Sequence, residues 1–163
     1  MLRGDLITQF FKKHVFSRKH LFIGIGSHLR SDDQAGLVLC DKLIEKGMDC
    51  LKCEAGLEMC IHEVYSRRPE VLVIFDAVIY PGCSPGEVVI ADEKAIKKET
   101  SIVTTHSISF ETIMQFLRST GGVEEIYVVG ICPERIDLGL EISEKVAHSI
   151  EKLAGIITSQ CYM

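Results

Sequence analysis

The most continuous apolar stretch in the chain is Val71-Leu72-Val73-Ile74-Phe75. A run with no polar position has no face to give to water, so it belongs in the middle of a parallel sheet covered on both sides by helices. Leu21–Ile25 reads as a second buried strand, and Asp32 to about Lys46 as an amphipathic helix that Gly47 ends. Ser31 and Gln34 match a capping box at its start. Asp49–Glu54 is expected to be a short strand, and Leu57–Tyr65 a helix broken at Arg67-Arg68-Pro69. Asp76 is expected to end the VLVIF strand. After the turn cluster Pro81–Gly86 comes an edge strand, Glu87–Ile90. Ile113, Met114 and Leu117 mark a helix from Phe110, Gly121-Gly122 break it, and Ile126–Ile131 is another strand. Ser143 is placed to cap a last helix whose stripe is Ile142, Val146, Ile150, Leu153 and Ile157.

Alternating strands and helices of this kind predict an α/β fold, three-layer α/β/α, with a mostly parallel open twisted sheet of about five strands. Residues 1–19 are expected to stand apart as a basic helical extension, and residues 20–163 to form a single α/β domain, which the resemblance described below implies is catalytic. In the extension, Leu6, Ile7, Phe10 and Phe11 suggest an apolar stripe, while Arg3, Lys12, Lys13, Arg18 and Lys19 suggest a solvated basic face.

Composition narrows the function classes. With 163 residues, 47% hydrophobic, the chain suits one domain with a sizeable core. A net charge of −5 provides no broad basic footprint, which argues against nucleic acid as the main partner. No apolar run approaches the ~20 residues that span a bilayer, and the first residues lack a signal peptide's pattern, so a cytoplasmic protein is expected. Seven cysteines are an odd number in a chain large enough to do without staples, and reduced thiols are the expectation. Cys50 and Cys53 form a lone C-x-x-C with no second pair.

The candidate chemistry gathers at one edge. Asp32 and Asp33 follow the first strand and Asp76 the third, and ligands of open α/β sheets settle at the carboxyl ends of the strands. A carboxylate directly after VLVIF is poorly solvated on one side and needs a cation or hydrogen bonds. His106, in Thr104-Thr105-His106-Ser107, favours the same face, and His28 lies in the glycine loop itself. Two carboxylates and an imidazole make a three-ligand site suited to a divalent transition metal more than to calcium. A dinucleotide site is excluded, because after Gly24 and Gly26 the third glycine is replaced by Leu29. There is no nucleophile elbow. A non-enzymatic receiver-like or metal-binding module using the same acidic edge is the alternative, although a receiver would need a lysine where Cys132-Pro133-Glu134 stands.

Five motifs in order extend the picture: Gly24-Ile25-Gly26 with Leu29, Asp32-Asp33 and Gly36; Phe75-Asp76-Ala77; Pro85-Gly86-Glu87; Thr105-His106; and Gly130-Ile131-Cys132-Pro133-Glu134. Together they resemble the endopeptidases that mature the large subunit of [NiFe] hydrogenases, most of all the hydrogenase-3-type and archaeal subgroup. The resemblance implies a nickel-dependent peptidase that removes the C-terminal extension of a large-subunit precursor. It implies Asp33, Asp76 and His106 as the catalytic, nickel-contacting residues, with nickel arriving in the precursor. Ser27, Gln34 and Cys53-Glu54-Ala55-Gly56 depart from the family's usual pattern.

Overall fold

In the computed structural model the VLVIF run is the centre of the sheet, as strand β3 (Val71–Ile79). The structure describes residues 4–54, 56–98, 103–104, 110–120 and 122–162. Strand β1 (His20–Gly26) lies parallel on one side of β3 and β6 (Glu125–Ile131) on the other. Outside β1 is β2 (Leu51–Glu54), also parallel, and outside β6 is β4 (Val88–Asp92), antiparallel. The order is therefore β2-β1-β3-β6-β4, and a two-residue strand β5 (Val103–Thr104) pairs antiparallel with the far end of β3. The expected α/β sheet of five mostly parallel strands is observed, with the edge strand after the turn cluster in its expected place.

The alternation of side chains along the strands separates two cores. Phe22, Val71, Val73, Phe75, Val129 and Ile131 face one side, covered by α1 (Gly4–Phe10), α2 (Ala35–Glu45) and α6 (Glu144–Cys161). Leu21, Ile23, Ile25, Leu72, Ile74 and Val128 face the other, covered by α3 (Ile61–Arg67) and α5 (Phe110–Thr120). A short helix α4 (Glu93–Lys98) follows β4. The stripe of the first helix differs from the expected one. Ile7, Phe11 and Val15, spaced four apart on one face, are buried while Leu6 is exposed, and the chain widens into a π-helical turn over Phe11–Val15. Each such burial contributes about 1.5–3 kcal/mol, so this segment is part of the first core.

Three local expectations are corrected. Asp76 does not end its strand: it pairs with Gly130, Ala77 with Ile131, and β5 takes Val78 and Ile79. The capping box does not form. Ser31 has φ of 49°, a left-handed conformation incompatible with an N-cap, and Ser31–Gln34 is a 3₁₀ turn that precedes α2. Ser143 stands at the N-cap position of α6, but its hydroxyl is used elsewhere.

The cysteines are also corrected. Cys40–Cys50, Cys53–Cys60 and Cys83–Cys132 are disulfides with Cα separations of 5.5, 5.9 and 6.2 Å, all within the range a bridge needs. Cys161 is free. An odd offset in extended backbone sends Cys50 and Cys53 to opposite faces. The C-x-x-C therefore cannot close on itself, and each sulfur finds a partner in a different core.

Candidate active site

The glycines of the first loop bring helix and strands together. A Cβ on Gly24 would land on the Gly36 carbonyl, and one on Gly36 would land on the carbonyls of both Phe75 and Ile25. Only a helix with glycine at this position can seat its first turn against the carboxyl ends of β1 and β3. A Cβ on Gly26 would likewise strike the Asp33 carbonyl. The turn carrying Asp33 is thus pressed onto the end of β1, three residues before the contact with Phe75, whose neighbour is Asp76. Two of the three predicted site residues accordingly share one edge of the sheet, and both are buried: Asp33 is 0% exposed and Asp76 is 2%. The Asp33 N–H donates to the Arg30 carbonyl (3.0 Å), and Asp76 Oδ1 accepts the Ala77 N–H (2.8 Å). His106 lies outside the described residues. Among the described residues no group of three or more His, Cys, Asp or Glu side chains is gathered closely enough to hold a metal ion.

Asp32, also 0% exposed, behaves differently from its neighbour. Its Oδ2 accepts the N–H groups of Glu134 (2.9 Å) and Arg135 (3.2 Å) and the Ser143 hydroxyl (2.8 Å). Its Oδ1 accepts the Ser143 N–H (2.8 Å). Four donors satisfy a buried carboxylate without any cation. Its own N–H donates to the Arg135 carbonyl (3.1 Å), and around it Ser31 Oγ donates to the Asp137 carbonyl (3.0 Å) and Gln34 Nε2 to that of Leu140 (3.0 Å). The whole 3₁₀ turn is locked to the segment after β6. The Pro133-Glu134 and Ser143 positions were visible in the sequence, but their role as partners of Asp32 was not.

The other motifs have structural roles. Glu87 accepts the Ser84 N–H (3.1 Å) and the Tyr80 hydroxyl (3.0 Å), closing the turn between β3 and β4. These bonds hold its carboxyl below the usual range, while burial and then Glu87 push the Tyr80 phenol up. Gly86 has φ of 84°, and a Cβ there would come within 2.9 Å of the Lys145 carbonyl. His28 pairs with Glu54, Nε2 to Oε1 3.0 Å, at the half-exposed mouth of the glycine loop.

Comparison with known proteins follows this geometry. The hydrogenase maturation protease family model matches residues 55–160. No curated protein matches the chain. Among solved structures, the [NiFe] hydrogenase maturation protease HycI from Thermococcus kodakarensis KOD1 is 25% identical with a TM-score of 0.80. That alignment covers 97% of this chain and 99% of that one. The [NiFe] hydrogenase maturation protease HybD from Thermococcus kodakarensis is 28% identical with a TM-score of 0.75, over 87% and 98%. The hydrogenase maturating endopeptidase HybD from E. coli, at 19% identity and a TM-score of 0.73 over 88% and 92%, has the same fold. The match sets aside a non-enzymatic receiver-like or metal-binding module. With its glycine-seated acidic edge on this sheet, the chain belongs to the hydrogenase maturation protease family, whose members are endopeptidases.

Proposed function

We propose that this endopeptidase removes the C-terminal extension of a [NiFe] hydrogenase large-subunit precursor, and does so only once nickel is in place. The observation that carries the reading is the burial of Asp33 and Asp76 on two elements that meet at one sheet edge. Two carboxylates at a water-poor edge attract a cation brought there more strongly than exposed ones would, because the effective dielectric is lower. Asp33, Asp76 and His106 would contact the nickel of the precursor. Carboxylate oxygens with an imidazole form a donor set suited to a first-row divalent ion. Thr104 of β5 pairs with Val78, two residues beyond Asp76, and His106 is two residues beyond Thr104 in the sequence, which supports including it.

Nickel bound there supplies a Lewis acid for the scissile carbonyl or for water. The protein's own contribution is a fixed pair of charges at the edge. Asp33 is held by the turn that Asp32 locks, and Asp76 by pairing of β3 with β6. The reading makes the unprocessed precursor the partner and the cytoplasm the site of action. Among the described residues no helix is long and apolar enough to cross a membrane.

The test is cleavage of the precursor prepared with and without nickel. Cleavage of the nickel-loaded form alone is expected; equal cleavage of both would overturn nickel dependence.

A further inference from the structure

Beside the acidic edge lies an apolar surface that the chemistry above does not use. Arg30 and Gly139 form a parallel bridge, with the Ser31 N–H donating to the Gly139 carbonyl (2.8 Å) and the Gly139 N–H to the Leu29 carbonyl (2.9 Å). The bridge brings Leu29 together with Leu138 and Leu140, which flank Gly139. Their exposures are 62%, 84% and 75%, and they are three of the five most exposed large apolar side chains among the described residues. Gly139 lets the two segments close on each other, because a Cβ there would come within 2.8 Å of Ser31 Oγ.

These leucines are not on a loose loop. Arg30 Nε donates to the Ile136 carbonyl (3.2 Å), Ser31 Oγ to that of Asp137 and Gln34 Nε2 to that of Leu140. Asp32 binds both ends of the segment, at Glu134 and at Ser143. Exposed apolar side chains carried on neighbouring segments of a hydrogen-bonded frame suit an interaction surface, and a frame already ordered in the free protein lowers the ordering cost of binding. The frame includes the 3₁₀ turn carrying Asp33, so the leucines are fixed to the same turn as one residue of the acidic edge. A protease must receive its polypeptide at that edge.

We propose that Leu29, Leu138 and Leu140 dock an extended, apolar segment of the precursor next to the scissile bond, and so set substrate specificity. This rests on the reading of the acidic edge as the cleavage site. The segment would lie along the Arg30–Gly139 bridge with an apolar side chain against the leucines and its backbone leading to Asp33 and Asp76.

The experiment compares the full-length wild-type protein with Leu138→Ser/Leu140→Ser, exposed positions whose replacement leaves both cores intact. Nickel-loaded precursor is the substrate, and binding of the precursor is measured separately. KM and the dissociation constant are expected to rise about tenfold, with kcat changed less than about twofold and the melting temperature unchanged. Unchanged KM and binding would overturn the proposal. So would a variant whose only change is loss of self-association, since the surface would then join two copies of this chain. If wild-type protein binds but does not cleave the precursor, the reading of the acidic edge fails while the binding comparison still decides the leucine surface.

Discussion

At the amino ends of the parallel strands, Arg18 meets Glu124 and Glu125, and Arg67 meets Asp49, all at least partly in water. At the carboxyl ends, Asp32, Asp33 and Asp76 are buried. Exposed pairs contribute about 0–1 kcal/mol, whereas a carboxylate out of water costs several kcal/mol before compensation. A fold maintains the second arrangement only where each charge has a task. For Asp32 the task is visible in its four donors; Asp33 and Asp76 lie at the edge proposed to meet the precursor's metal.

The largest effect should come from removing those contacts. Asp33→Ala and Asp76→Ala are each expected to lower precursor cleavage by about 10²–10⁴-fold, with folding retained by circular dichroism. His106→Ala should do the same, and normal processing by any of the three would remove that residue from the site. Next is the stability difference between the two ends. Asp32→Ala leaves four donors without their acceptor and should cost about 3–5 kcal/mol in urea unfolding, whereas Arg67→Ala should cost less than about 1 kcal/mol. Equal losses would erase the contrast. The smallest effect is acid sensitivity at the amino end. The Tyr127 hydroxyl, and after it Arg18, holds the Glu125 carboxyl below its ordinary 4.5. A carboxylate depressed in the folded state stabilises above its unfolded value and loses that contribution as pH falls through the folded one. Stability from this group therefore declines only below pH 4.5. Tyr127→Phe should flatten that decline in melting curves across the acid range.

How much of this was legible in the sequence follows from how local each signal is. VLVIF announced a central strand because its apolar run is self-contained, whereas the close approach at Gly24 and Gly36 depends on residues brought from other elements. Asp76 was misplaced at a strand end because the residues that extend the strand, Gly130 and Ile131, lie far along the chain. Ser31, Gln34 and Ser143 carry cap-forming side chains, and in each case a distant partner took the side chain instead: Asp137, Leu140 and Asp32. The cysteine pairings were hidden for the same reason, since only the packing of α2 and of the turn before α3 brings Cys40 and Cys60 to Cys50 and Cys53. The acidic edge itself was readable, because adjacent parallel strands bring the residues after β1 and those toward the carboxyl end of β3 to one side of the sheet.

The carboxylate of Asp32 waits for Ser143, 111 residues later in the chain. At synthesis rates of about 5–20 residues per second, roughly 6 to 20 seconds pass between the two leaving the ribosome's active centre. Through that interval β1 can gather its neighbours but the turn bearing Asp33 has no frame. The turn that bears Asp33 is therefore completed only after β6 and the segment that follows it have been made.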